Sequence, residues 1–293
     1  MTDRDDPAAA AWFAADGETE RAAAVREGTA AAPADWPALA VETGVADDEA
    51  DYETALRAAT LSAARDTVRE RERADDRQLI HAVRAADDAR RTANELAERV
   101  AEWGGSLFEL DDTDDTRAED ADAGVAYARE LAAREPDGPA ETRAVSLAQR
   151  VVDLHEEAER LEASVADNAP AVAPNLAALA GPTLAARLLS LSGGLESLAK
   201  KPSGTLQVLG AEDALFAHLR GDAPSPKHGV IYTHDYVRNT HPAERGSAAR
   251  ALAGKLTIAA RIDHYSGDRR PELEAELDER IETIRARRGG DGD

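Results

Sequence analysis

At 293 residues the chain is long enough for two or three domains, each with its own core. Its 35 Lys and Arg face 58 Asp and Glu, a formal net charge of −23, with Lys almost replaced by Arg; this fits a halophilic cytosol, where acidic surface stays hydrated and salt screens self-repulsion. With no Cys there is neither a disulfide framework nor a thiolate metal site, and no apolar run reaches the roughly 18 residues that span a bilayer. The N-terminus, MTDRDDPAAA, has no cationic leader region, so the expectation is a soluble, cytoplasmic protein.

Residues 1–50 carry Trp12, Phe13, Trp36, Leu39, Val41 and Val45 among Ala, Gly and Pro. They read as a small N-terminal module with a helix around 18–27 and a short strand at Ala38–Val41. From Asp51 to about Trp103 the chain lacks Pro and Gly. Leu79, Val83, Ala86, Ala93, Leu96, Val100 and Trp103 recur at three- and four-residue steps, predicting one long helix stopped by Gly104-Gly105. Residues 109–123 form an acidic connector, followed by a short helix around 124–134 and a turn at Pro136–Pro139.

The next predicted helix runs from about Pro139 to Asp167. Leu147, Val151, Leu154, Ala158, Leu161 and Val165 step by 4, 3, 4, 3 and 4, a heptad seam. Together the two helices, over 51–168, predict an antiparallel coiled-coil hairpin. Its seam either covers only its own partner helix or also joins two chains in a homodimer. Asn168-Ala169-Pro170 and Pro174 are expected to break the helix and open a further domain, 169–267. Within it helices are predicted at 176–192, 194–200, 210–220 and 246–263. The segment 268–293 is a C-terminal helix from Pro271 and an acidic tail. Glu272, Glu274 and Glu276 come early and Arg285, Arg287 and Arg288 late, as the macrodipole favours. Leu273, Leu277, Ile281 and Ile284 supply its docking face; contact of its basic end with RNA stays open.

Charge is distributed unevenly. Residues 174–267 hold 10 Lys and Arg against 7 Asp and Glu, all four lysines (Lys200, Lys201, Lys227, Lys255) and five of the seven histidines. Either this domain is simply less acidic than its neighbours, or it presents cations to an anionic partner. Lys200-Lys201-Pro202-Ser203-Gly204-Thr205 is not a phosphate loop, because GxxxxGK[ST] and a leading strand are both missing. His218, His228, His234, His241 and His264 lack metal-ligand spacing, and there is no nucleophile elbow. No catalytic residue, metal or cofactor is predicted, and the histidines read as hydrogen-bonding or base-stacking groups. Gly210-Ala211 places small residues at a helix start, where amide N–H groups can meet phosphate, while Leu215 and Phe216 are expected in the core. At about 100° per residue, Arg250 and Arg261 lie within about 20° of each other on 246–263, with Gly254 and Thr257 on their face and Leu252, Leu256 and Ala259 opposite. The arginines are either solvated or touch phosphate.

Three blocks, PNLAALAGPTLAARLLSLSGGLESLAKKPSGTLQVLGAEDALF, PKHGVIY and RGSAARALAGKLTIAARID, occur in this order over about a third of the chain. They resemble the Nop domain of the archaeal scaffold protein of box C/D guide-RNA particles, and DRQLIHAVRAADDARRTANELAERVAEW resembles that family's first coiled-coil helix. The resemblance implies a mainly α protein: a reduced N-terminal module, a coiled-coil hairpin and a helical Nop domain. It implies a non-catalytic scaffold that directs ribose 2′-O-methylation of rRNA or tRNA. Its partners would be box C/D guide RNA, a kink-turn-binding protein and the methyltransferase fibrillarin, with a second copy of the chain and no membrane. The RNA- and particle-binding positions it implies are Lys200, Lys201, Gln207, Gly210, Ala211, Glu212, Lys227, His228, Arg245, Arg250, Lys255 and Arg261. Asp213 stands where the family usually has a lysine. The family's larger N-terminal α/β domain, which docks fibrillarin, is here replaced by a shorter segment, and a spliceosomal relative shares the Nop domain. The rival readings are an enzyme, a purely structural helical dimer, or another assembly factor without a methylation role.

Overall fold

The computed structural model describes residues 12–15, 17–28, 34–108 and 123–287, and every regular element among them is helical. The chain divides into two compact units, Met1–Ala74 and Asp75–Asp293. The first boundary therefore falls at 74/75 rather than at the expected 50/51.

In the first unit, α1 (Glu18–Glu27), α2 (Trp36–Glu42) and α3 (Glu49–Glu72) surround a small aromatic core. Trp12 meets Tyr52 edge-on and Phe13 stacks on Trp36, with Ala40 and Ala46 between. Arg26 of α1 pairs with Glu70 of α3 at 2.7 Å. The expected strand at Ala38–Val41 is helix instead. Asp35 accepts the Ala38 N–H and Pro37 sits in the first turn, two start signals that outweigh the β-branched Val41. The long helix expected from Asp51 is two: it tightens at Arg73–Ala74, whose N–H groups bond Arg71 or Arg69, and a new helix starts at Asp75.

The second unit opens with α4 (Asp75–Leu107), α5 (Ala123–Ala132) and α6 (Pro139–Val172). The start of α4 (Leu79, Ile80, Val83) shares a core with the end of α6 (Val165, Ala169). Its later residues (Ala93, Ala97, Val100) pack with Ala144, Ala148 and Val151. The pair is thus antiparallel, and Arg90 bonds Glu162 across it at 2.8 and 3.1 Å. Small residues line both helices and let the backbones come close. Gly104-Gly105 does not end α4. A Cβ on Gly104 would lie 2.7 Å from both the Leu131 Cδ2 and the Tyr127 hydroxyl, so its absence admits α5. The acidic connector, apart from residue 123, lies outside the described residues.

Along α6 the expected seam splits. Val151, Ala158 and Val165 are buried, whereas Leu147, Leu154 and Leu161 are half-buried along its edge. Helix α6 also runs through Pro170 to Val172, past the expected break at 168. Pro170 is exposed, and the Asn168 amide donates to the Ser164 carbonyl.

The remaining helices are α7 (Pro174–Ala180), α8 (Pro182–Ser192), α9 (Leu195–Ala199), α10 (Ser203–Gln207), α11 (Glu212–Leu219), α12 (Asp235–Arg238), α13 (Arg245–Tyr265) and α14 (Glu272–Ala286). The single helix expected at 176–192 is broken because Gly181 takes φ +77° and Pro182 starts a fresh helix. Helix α13 is the central strut: Ala248, Ala249, Leu252, Ala253, Leu256, Ala259 and Ala260 are all buried. Helix α14 docks on the same core through Leu273, Leu277, Ile281 and Ile284, as its apolar steps predict.

Two helices in this body receive their N-terminal caps from elsewhere in the chain. Asp76 of α4 accepts the Leu195 N–H at the start of α9. Asp263 of α13 accepts the N–H groups of Asn175 and Leu176 at the start of α7. Each carboxylate offsets amides that a helix start leaves without a partner.

Candidate RNA interface

The turn after α10 and the PKHGVIY segment meet by backbone. Gly229 N–H donates to the Gln207 carbonyl and Val230 N–H to the Leu209 carbonyl, at 2.9 and 2.8 Å. A Cβ on Gly229 would lie 2.0 Å from the Leu209 oxygen, so only glycine allows this crossing. The Gln207 amide donates to the Lys227 carbonyl at 2.7 Å. His228 then stacks on Tyr232 at 4.7 Å between centroids, and the Arg245 guanidinium lies 5.4 Å from the Tyr232 ring. Arg245 also donates to the carbonyls of Thr240 and Arg238. Gln207, Lys227, His228 and Arg245, scattered in sequence, are thus brought into one cluster with two cations, in which His228 and Arg245 lie against Tyr232. Burial, then Arg245 and Lys227, push the His228 imidazole below its usual value. Tyr232 was not among the sequence candidates; its one signal is an aromatic four residues after His228.

Gly210 adjoins this cluster: its φ is +82°, and a Cβ there would lie 3.4 Å from that of Val230. The Gly210 N–H already donates to the Glu212 carboxylate at 2.9 Å, and the Ala211 N–H to the Val208 carbonyl. The Gly210 and Ala211 amides are therefore bonded within the chain, and Glu212 acts as a local cap. Phe216 is not core. It is 57% exposed, and α11 has no buried residue, because the helix stands off the body by a glycine turn at each end.

The remaining candidate cations lie along α13 and just after α9. The Arg261 Nε donates to the Ala199 carbonyl at 3.1 Å, bringing it to the Lys200-Lys201 turn. Lys200 pairs with Glu196 at 2.5 Å, and Lys201 is half-buried. Arg250 is exposed on the same helix as Arg261. Thr257, expected on their face, is buried and donates to the Ala253 carbonyl. Its place on the wheel lies just inside the boundary where α13 turns into the core. Lys255 points toward α14 and is engaged by Glu276.

Beside the first cluster, His234 caps α12. Its Nδ1 accepts the Tyr236 N–H, and its Nε2 bonds the Leu179 carbonyl at 3.0 Å, which requires the Nε2-protonated neutral ring. Burial lowers its pKa, against smaller raising effects of that carbonyl and Asp235. Tyr236 donates to Asp278 of α14, and burial followed by this bond pushes its phenol up to about 12. Arg285 donates to the Thr240 hydroxyl and the Asp235 carbonyl. The basic end of α14 is thereby partly committed to holding this segment.

A paired-helix stem, a helical body braced by a long strut, and cations collected on that body within an acidic chain define the class: a helical protein, among the described residues, with one cation-bearing body. Residues 78–285 match the family described as "Nop: snoRNA binding domain, fibrillarin", and the chain belongs to that family. It is 47% identical over 141 residues to an uncharacterised NOP5 family protein of Methanocaldococcus jannaschii, covering 48% of this chain and 34% of that protein. It is 30% identical over 233 residues to nucleolar protein 58 of Yarrowia lipolytica, covering 70% of this chain and 45% of the relative. The chain spans less than half the length of these curated relatives. In three dimensions it resembles a chain in the crystal structure of a fibrillarin/Nop5p complex, with a TM-score of 0.53 over 92% of this chain and 91% of that one. At 23% identity that likeness concerns the fold.

Proposed function

We propose that the chain is the non-catalytic scaffold of a box C/D guide ribonucleoprotein. It holds kink-turn RNA together with a small kink-turn-binding protein and recruits fibrillarin, which methylates ribose 2′-hydroxyls of rRNA or tRNA. The observation that carries this reading is the family match over 78–285, a span that contains both cationic clusters. RNA shape and backbone are then what the protein reads, and guide–target pairing supplies the sequence. The half-buried edge Leu147, Leu154 and Leu161, at seven-residue spacing, supports a homodimer formed through the hairpin.

The test is reconstitution in multimolar potassium chloride from purified chain, guide RNA, kink-turn-binding protein and fibrillarin. All four are expected to elute together, and methyl transfer is expected only when fibrillarin is present. Failure of the chain to retain RNA already loaded with the kink-turn-binding protein overturns the reading, as does methyl transfer by the chain alone.

A further inference from the structure

The solvent side of α13 carries an unusual surface for this chain. Arg250, Gly254, Ile258, Arg261 and Tyr265 follow one another at steps of 4, 4, 3 and 4, one stripe about 22 Å long. Ile258 is 42% and Tyr265 70% exposed. The helix holds one carboxylate, Asp263, and that group is buried in the cap of α7. In a chain of net charge −23, this stripe is cationic and apolar at once.

Its C-terminal end is the most built part. Arg261 is tied to the Ala199 carbonyl, which places it beside Lys200 and Lys201. Tyr265, four residues beyond Arg261, stands one turn further along the same face. His264 leans on the Tyr265 ring at 4.6 Å and 60°, restraining it. No other described side chain stacks on that ring.

We propose that Tyr265, Arg261 and the Lys200–Lys201 turn form a pocket for one unpaired nucleotide of the bound RNA, its base on the phenol ring and its phosphate among the cations. Ile258, one to two turns back, offers apolar floor for a neighbouring base or sugar. This rests on the RNA-scaffold reading above and adds a stacking residue to it. A stacked base needs a flat exposed ring beside cations, and both are present. A partner helix would also fit Gly254 and Ile258, but the excess of cations over carboxylates favours phosphate. Glu196 lies within the pocket as the partner of Lys200, and an incoming phosphate would compete with it.

The probe is a kink-turn RNA with a flanking run of unpaired adenosines, loaded with the kink-turn-binding protein and titrated with the full chain at several salt concentrations. Tyr265→Ala is expected to weaken binding roughly tenfold without changing the salt slope, since no charge is lost. Tyr265→Phe should keep the affinity. Arg261→Ala should lower the slope by about one unit. Tyr265→Trp, read as difference emission against the wild type, should be quenched when RNA binds, which a purely structural tyrosine would not show. Because the side chain is largely exposed, Tyr265→Ala should melt as the wild type does. Wild-type binding with an unaltered Tyr265→Ala curve and no quenching would overturn this pocket alone. No RNA binding by the wild type would overturn the scaffold reading beneath it as well. Loss of affinity of Tyr265→Ala for the kink-turn-binding protein without RNA would make the stripe a protein-docking face and overturn the nucleotide pocket.

Discussion

The Asp263 carboxylate accepts both the backbone N–H and the side-chain amide of Asn175, at 3.0 and 2.6 Å, in the interior of the helical body. Its second oxygen takes the Leu176 N–H at 2.8 Å. Asn175 in turn donates to the Asp268 carbonyl and accepts from the Arg270 N–H. One side chain from α13 thus ties the start of α7 to the loop that leads into α14.

Asp263→Ala would leave two helix-start amides and the Asn175 side chain short of an acceptor in a dry site. A loss on the order of 3 kcal/mol is expected, seen as a lower urea midpoint with little change in slope. Asp263→Asn should recover only part of it, because its NH2 faces other donors. A midpoint unchanged in Asp263→Ala would show that the cap does not contribute.

Gly229→Ala places a Cβ against the Leu209 carbonyl oxygen, a backbone atom that cannot swing away. Because that crossing positions Lys227 and His228, the variant should lose both stability, by more than about 2 kcal/mol, and RNA affinity. Gly254→Ala meets nothing within 4 Å and serves as the control: its melting temperature should not fall. Equal melting of Gly229→Ala and wild type would contradict the close approach.

His234 titrates below its ordinary value because it is buried, and its hydrogen bonds fit the neutral ring. The folded pKa lies below the unfolded value of about 6.5, so the unfolded chain binds the proton first. The stability this group provides is complete above about pH 6.5 and drains away as pH falls toward the folded pKa. His228 is shifted in the same direction. Melts between pH 7.5 and 5.5 should therefore show falling stability, and His234→Asn should be flatter across that interval. An identical slope in the variant would remove His234 as the cause.

Arg250 and Leu256 separate contact from fold. Arg250→Ala changes an exposed side chain, so stability should move by no more than about 0.5 kcal/mol, while RNA affinity and salt slope fall. Leu256 is fully buried, and Leu256→Ala should cost about 2–5 kcal/mol. Gel shifts at several salt concentrations beside thermal melts distinguish the two. An Arg250→Ala variant with unaltered affinity and slope would take that arginine off the RNA face.

Leu154 and Leu161 are half-buried within one chain. A Leu154→Asp, Leu161→Asp double variant should stay helical yet scatter light as a monomer, where the wild type is expected to scatter as a dimer. A monomeric wild type would remove the dimer.

The hairpin, the strut α13 and the docking face of α14 were legible because their apolar residues recur at helical steps, a pattern the chain carries whatever surrounds it. The uneven charge was legible too, since lysines confined to one segment of an acidic chain need no coordinates to be noticed. Breaks and continuations were not. Gly104 lies inside a helix because its missing Cβ admits α5, Pro170 lies inside one on an exposed face, and Gly181 ends one that its apolar pattern would have continued. Phe216 looked like core by type alone, but its side chain is exposed on α11, which buries none of its residues. Within the cationic segment, sequence could name Lys227, His228, Arg245 and Arg261 but not their grouping. That grouping depends on contacts such as Gly229 with Gln207 and Arg261 with Ala199, between residues 22 and 62 positions apart. Periodicity and charge are local properties of the chain. Which cation is open, which is clamped by a carboxylate, and which aromatic ring stands beside it are decided only when distant backbone segments meet.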